Sequence, residues 1–445
     1  MRRAPSMQSS LVGLALGLAL GLGIVPAARV AAVESGTMID QSNADEVKDL
    51  LPPEIYKHFK NGDYMNKLVD FPNSKWAWDD GFDEATKWNA EHLVLDEHKS
   101  PIDKATGKRP EYIRGLPFPN IDPKDPDAGY KALWNLDYAY YTGGNSHNWT
   151  LLNWVSRSGI DRSSVQDVYF LYYDGQPRHY SPPKNPENFL FQFLAATTSP
   201  ADLQGTAALG YRFKDPTKRD LSWAYVPALR RVRAISPANR SDGFLGSDMS
   251  QDDGFFFDGK PEDFEWKVVD HKEALRFVDP DSIAGKVKER ELPGGGWRTV
   301  AINNDRTVGY MVKGWKGVPW APVAAAVAKR KFWVLEGVPK DKYYLYGKME
   351  LWIDDTTWAG AWNRKFSWRG ELLNTLQVLG YATYQWNDKE RWWGATMSFQ
   401  LAENIKQDRA TAAGMNGPGA DPPNDRRVPL DPGFFDYQTL SRFGK

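Results

Sequence analysis

Cysteine is absent from this sequence. That excludes thiol catalysis and disulfide bridging. It also removes the residue that carries a lipoprotein's acyl chains, so a lipid-anchored form is not expected. A chain of 445 residues can bury a core without disulfides. Histidine is scarce: His58, His92, His98, His147, His179 and His271 are all six. No two stand at metal-ligand spacing, and His92 and His98 would point to different faces of a helix. No metal or cofactor is expected. Ser247 lies in a Gly-Ser-Asp loop, and no Gly-x-Ser-x-Gly elbow occurs. Gly294-Gly295-Gly296 is a flexible turn and not a phosphate loop, since no helix opening with Lys-Ser or Lys-Thr follows it. Asp248, Asp252, Asp253 and Asp258 lack the alternating spacing of a calcium loop and read as turn chemistry. Nothing selects a catalytic pair among 57 acids, so no catalytic residue is assigned and the chain reads as a non-enzyme.

Charge of either sign is balanced, with 56 basic and 57 acidic residues. That excludes a nucleic-acid partner on electrostatic grounds. Long apolar runs are also missing after the first thirty residues. Arg2 and Arg3, the run 11–28 and the small triplet Val30-Ala31-Ala32 read as an export leader cut near Ala32. The competing reading is an uncleaved anchor. The periplasm is the expected location, and the extracellular space is the alternative.

Large rings are abundant: 19 Trp, 20 Tyr and 21 Phe at a mean hydropathy of −0.57. A polar chain this rich in rings has an aromatic core or an aromatic-lined cleft. Residues 44–60, 82–96 and 127–141 read as helices, the last with a stripe of Tyr130, Leu133, Trp134, Asp137, Tyr138 and Tyr141. From about Trp149 the period changes to two. Residues 165–173 and 176–180 read as a hairpin across Asp174-Gly175. Residues 188–197, 205–213, 221–226, 264–271, 297–303, 307–315, 331–336, 343–353, 361–368, 376–386 and 390–400 read as further strands. The expected fold is mainly β with helices (α+β). One large curved antiparallel sheet forms an incompletely closed barrel, with helices over its open side. The expected segments are a leader (1–32), a helical, loop-rich region (33–148), the half-barrel (149–407) and a Gly/Pro/Asp-rich tail (408–445).

Alternation puts Trp223 and Tyr225 on one strand face, and Leu209, Tyr211 and Phe213 on one face of the preceding strand. A short turn makes these strands antiparallel neighbours, with one apolar patch that is either buried or used. These five are the lead candidates for lining a cavity. Phe170, Tyr172, Trp266 and Trp352 are further candidates, because the sequence does not say which faces point inward. Arg230, Arg231 and Arg233 follow on a second short strand. They read either as solvated edge-strand charge or as a rim that gates the cavity or holds an anionic head group.

Several stretches carry a resemblance. Trp223-Ala-Tyr225-Val-Pro227 is followed by Arg230-Arg231-Val232-Arg233, then by Gly246-Ser247-Asp248-Met249-Ser250 and Asp252-Asp253. Lys331 to Glu336, Lys348 to Asp354, Gly115-Leu-Pro-Phe-Pro119 and Trp134-Asn135 join them. Together they resemble the periplasmic family known as domain of unknown function (DUF) 1329, similar to outer-membrane lipoprotein-sorting proteins (LolA/LolB-like). The resemblance implies a half-barrel with a hydrophobic cavity plugged by helices. It implies a carrier for a lipid, lipoprotein acyl chains or another apolar ligand, beside an exporter of the resistance-nodulation-division type. Membrane contact would be transient at most. Two other classes stay open: a carbohydrate-active enzyme or glycan binder, and a structural envelope subunit with a filled barrel.

Overall fold

The computed structural model describes residues 33–72, 78–284, 288–300, 308–386, 391–414 and 421–443. The leader read in 1–32 lies outside them, as do 301–303, Thr307 and Glu390. The helices are α1 (Pro53–Asn61), α2 (Asp80–His92), α3 (Ala128–Tyr141), α4 (Pro280–Ile283) and α5 (Tyr437–Leu440). The early strands are β1 (Met38–Ile39), β2 (Asn66–Val69), β3 (Leu93–Leu95) and β4 (Pro101–Asp103). A meander follows: β5 (Ser146–Ser156), β6 (Gly159–Tyr172), β7 (Phe189–Ser199), β8 (Ala207–Phe213), β9 (Leu221–Val226) and β10 (Arg231–Ile235). Then come β11 (Phe264–Val278), β12 (Lys288–Glu291), β13 (Trp297–Val300), β14 (Ala326–Pro339), β15 (Lys348–Asp354) and β16 (Gly360–Phe366). The last are β17 (Leu372–Trp386), β18 (Arg391–Asn404), β19 (Arg409–Gly414) and β20 (Asn424–Arg426). Val33–Lys445 forms one compact unit.

The protein is mostly β, with one large mixed sheet that does not close into a barrel. Its spine runs β10-β9-β8-β7-β6-β5-β19-β18-β17-β16-β15-β14-β11, every neighbour antiparallel. Two contacts are parallel: β2 with β14, and the single pair Val278 with Gly380 between β11 and β17. A side branch β12-β13-β20 joins the start of β5.

The sheet curls around α3. Rings of β6 and β7 meet the helix, with Tyr141 5.0 Å from Tyr172 and 6.1 Å from Phe191. At its other end, the Tyr130 hydroxyl donates to the Phe264 carbonyl of β11. Laid flat at about 4.8 Å per strand, β7 and β11 would lie about 43 Å apart. An α-helix is only about 10–12 Å wide, and α3 is about 21 Å long at 1.5 Å per residue. Twelve residues of α3 are buried, including Ala132, Leu136 and Ala139 off the predicted stripe. A helix apolar all round belongs inside. At Gly129 a Cβ would meet backbone atoms of Trp266 and Lys267 at 3.0 Å, so a larger residue would push α3 and β11 apart by a few tenths of an ångström. On the other face of the sheet, α1 packs Ile55 and Phe59 against Phe277, Phe332 and Trp362.

Three expectations are corrected. Residues 176–180 are not a strand: Arg178–Tyr180 is a 3-10 turn, and β6 pairs with β5 and β7. The buried side chains of Asp174 and Gln176 hold that loop, by accepting from the Ile113 amide and by donating to Asn145. Residues 308–315 carry a 3-10 turn, because the amides of Gly309 and Tyr310 donate back to Ala321 and Pro319. Arg409–Gly414, placed by sequence in the Gly/Pro/Asp-rich tail, is β19, which joins the two halves of the sheet between β18 and β5. Among the described residues, no helix is long and apolar enough to cross a membrane.

Candidate functional site

The five lead residues come together. Leu209 pairs with Trp223 and Ala207 with Tyr225, so Leu209, Tyr211, Trp223 and Tyr225 share one face. Tyr211 and Trp223 meet edge to face at 4.9 Å. Phe213 sits at the margin, 5.2 Å from Phe189. Tyr169 and Leu171 of β6 and Leu194 of β7 extend the same face.

What covers this face is the chain's own C-terminal segment. Phe435 and Leu440 are buried on it, and Leu430, Phe434 and Phe443 pack at its margin. The ring of Phe434 lies 5.0 Å from that of Tyr169. The Tyr211 hydroxyl donates to the Phe435 carbonyl at 2.6 Å. Burial, and then the charge of Asp436, push the Tyr211 phenol up to about 12. The segment is built from two short turns. Asp431 accepts from the Gly433 amide, and Asp436 from the Gln438 amide, each capping its own turn.

The other four candidates lie elsewhere. Phe170 and Tyr172 point to the opposite face of β6, against Trp134, Tyr138 and Tyr141 of α3. Trp266 packs with Phe257 and Phe264 beside Tyr130 and Leu133. Trp352 lies on the α1 side with Phe332 and donates its indole N–H to Glu350. The nine residues therefore do not line one chamber. Arg230 is outside β10, in a left-handed conformation with φ 48°. Arg231 and Arg233 pair with Val226 and Ala224, on the face opposite Trp223 and Tyr225. All three are exposed.

A buried ionic network escaped the sequence reading. Asp174, fully buried, accepts from the hydroxyl of Tyr138 at 2.8 Å and from Arg109 at 3.3 Å. Arg212 donates twice to Asp220, at 2.8 and 2.9 Å, and once to the Asp258 carbonyl. Arg240 reaches both Asp252 and Asp258. Burial holds the Asp137 carboxyl of α3 well above the usual carboxylate range. Burial also pushes Glu262 up to about 7, against the pull of Lys260 and Arg109. The available signal was Asp137 itself, a lone acid in an apolar helical stripe. The other members of the network are remote in sequence and carried no local mark.

The acids of the loop before β11 are structural. Asp248 accepts from Arg409 and Thr411, Asp252 from Tyr344, and Asp253 pairs with Lys365. A second clamp joins α1 to β18. Nε2 of His58 lies 2.8 Å from Glu403, and Nδ1 lies 3.2 Å from Asp63. Burial pulls its pKa down, but the hydrogen bonds to Asp63 and Glu403 win and raise it to about 9. Among the described residues no cluster of His, Asp and Glu is arranged to hold a metal ion. A cleft of about 790 Å³ lies between Arg219, Ser236 and the loop Pro339 to Tyr344. Its walls carry both Lys260 and Lys342 and Asp242 and Asp263, so it is polar and of mixed charge.

Residues 38–440 match the family described as protein of unknown function (DUF1329). An uncharacterized protein from Pseudomonas aeruginosa is 25% identical over 380 residues, covering 82% of this chain and 72% of that protein. Two crystal structures are also similar. One is a domain named for outer membrane lipoprotein sorting, from Vibrio parahaemolyticus, with 18% identity and a TM-score of 0.45 over 72% of this chain and 100% of that one. The other is a DUF1329 family protein from Desulfovibrio piger, with 16% identity and a TM-score of 0.45 over 72% of this chain and 99% of that one. The match over nearly the whole described chain makes this protein a member of the DUF1329 family.

Proposed function

We propose that this protein binds and hands over an apolar molecule, such as a lipid or an acyl chain, without bond chemistry. The ligand lies on the face of Leu209, Tyr211, Trp223 and Tyr225, and the C-terminal segment is the cover it displaces. The observation that carries this reading is the nature of that cover. Among the described residues, the clusters around α3 are closed by that helix with its buried polar bonds, and the cluster on the α1 face by α1, the 3-10 helix Ala44–Leu50 and the turns of 308–325. This one is closed by the C-terminal segment alone, two short turns near the chain's end that lay Phe435 and Leu440 on it with Leu430, Phe434 and Phe443 only half-buried at the margin. The protein works in the periplasm after its leader is removed; the basic and apolar start of the sequence supports that. A resistance-nodulation-division exporter is the partner the family resemblance offers for the handover.

The test uses an apolar fluorescent probe. Phe434→Cys with Tyr169→Cys, bridged by a short thiol crosslinker in a chain that has no other cysteine, locks the cover. The open form should take up probe and the locked form should not. Equal uptake by both would reject the site. A second reading, a structural subunit with a filled barrel, is favoured by the burial of α3 on all sides. No uptake by either form would support it.

A further inference from the structure

The hairpin of β9 and β10 ends in Val226-Pro227-Ala228-Leu229, where Leu229 is 49% and Val226 36% exposed. Pro227–Leu229 is one 3-10 turn. The left-handed Arg230 then reverses the chain, so Arg230, Arg231 and Arg233 follow the apolar tip directly. No side-chain hydrogen bond or ion pair is found for these three among the described residues. Residues 221–241 contain no acid. Asp220, just before them, is buried and held by Arg212. The tip is thus an uncompensated cluster of three positive charges beside exposed apolar side chains.

The bland role of edge arginines is to discourage strand pairing. It accounts for Arg231 and Arg233 on β10, which pairs only with β9 among the described residues. It does not account for Arg230, which is outside the strand, nor for two large apolar side chains kept in water. An anionic lipid surface accounts for both. Apolar tip residues enter the boundary between head groups and acyl chains. Guanidinium groups grip phosphate oxygens in bidentate fashion, which suits Arg better than Lys. The six exposed residues of the tip, Val226, Ala228, Leu229, Arg230, Arg231 and Arg233, are too few for a stable protein interface, which buries roughly 800 Å² per partner.

We propose that the β9–β10 tip docks the protein on an anionic phospholipid membrane. The inference rests on the ligand site above, whose face begins at Tyr225, one residue from the tip. Arg231 and Arg233 occupy the opposite face of the hairpin, so docking and ligand binding use its two sides.

The test sediments the full chain with vesicles of phosphatidylethanolamine and phosphatidylglycerol, and with vesicles of phosphatidylcholine alone. Wild type should bind the first and not the second, and salt should weaken it. Arg230→Ser/Arg231→Ser/Arg233→Ser should lose roughly a hundredfold in affinity, at about fivefold per arginine. Val226→Ser/Leu229→Ser, in the same assay, should weaken binding about tenfold and keeps the test decisive if the triple variant melts early. Wild type that ignores anionic vesicles overturns the proposal and leaves an acidic strand added to β10 as the alternative. A folded triple variant that binds unchanged overturns it too. Probe uptake by wild type in the same preparation separates the two readings. Uptake without vesicle binding removes the docking site alone; vesicle binding without uptake removes the ligand site alone.

Discussion

Helix α3 and the C-terminal segment cover opposite faces of β6 and β7, on different terms. Inside, α3 is tied by directed bonds between buried groups. Asn135 exchanges two hydrogen bonds with the backbone of Phe118, and the indole of Trp134 donates to Lys99. Tyr138 shares Asp174 with Arg109. Removing any partner there strands a buried polar group. Outside, the cover rests mainly on rings, with the Phe435 carbonyl as its polar anchor. Apolar contact is non-directional, so under the proposed function an acyl chain would replace the phenylalanine rings on that face at the cost of the hydrogen bond from Tyr211 to the Phe435 carbonyl. The bonded interior and the ring-packed cover are two solutions to one problem: a sheet with two apolar faces.

Truncation separates them. Trp134→Ala removes a buried ring and the bond to Lys99, and should cost roughly 3–5 kcal/mol in chemical unfolding. Phe435→Ala removes a ring that is equally buried, but under the proposed function the segment would open locally, apart from global unfolding. Its effect on global unfolding should be the smaller of the two. Amide exchange should rise in 430–443 and over β8 and β9, and stay unchanged in α3. Equal global losses, with no local rise in exchange, would show that the two covers are equally integrated and would end the contrast.

The sequence disclosed these regions unevenly. The shared face of β8 and β9 was legible because alternation places Leu209 with Tyr211 and Trp223 with Tyr225, and a short turn makes the two strands neighbours; the register that pairs Leu209 with Trp223 came from the structure. Helix α3 was legible from its period, although its full burial was not, because Ala132 and Ala139 look neutral. Strand β19 was hidden by its small residues: Ala410, Ala412 and Ala413 are all buried, so no period of two marks it. The cover was hidden for another reason. Phe434, Phe435 and Phe443 follow no helical or strand spacing, and turn residues surround them. The partners of Asp174, Arg212 and Glu262 are brought together by the curl of the sheet, which no local pattern encodes.

The smallest expected effect is one of pH, and it sharpens the contrast because the two regions titrate differently. On the outer face Tyr211 changes charge only near pH 12. The interior holds Glu262, whose folded pKa is raised from 4.5 to about 7. Between those values the folded protein keeps a proton that the unfolded chain has released. Stability from this group is therefore fully present below about pH 4.5 and is lost as pH rises through about 7. His58 acts in a later window. Its folded pKa is raised from 6.5 to about 9, so its contribution is full below 6.5 and lost as pH rises through 9. Denaturant unfolding of wild type should show stability falling across both windows. Glu262→Gln should flatten the first and leave the second, while His58→Gln should do the reverse. Exchange protection of 430–443, referred to the intrinsic rate at each pH, should stay level from pH 5 to 8 in all three proteins. Protection that follows Glu262 would mean that the interior controls the outer cover, and the two faces would then be one cooperative unit.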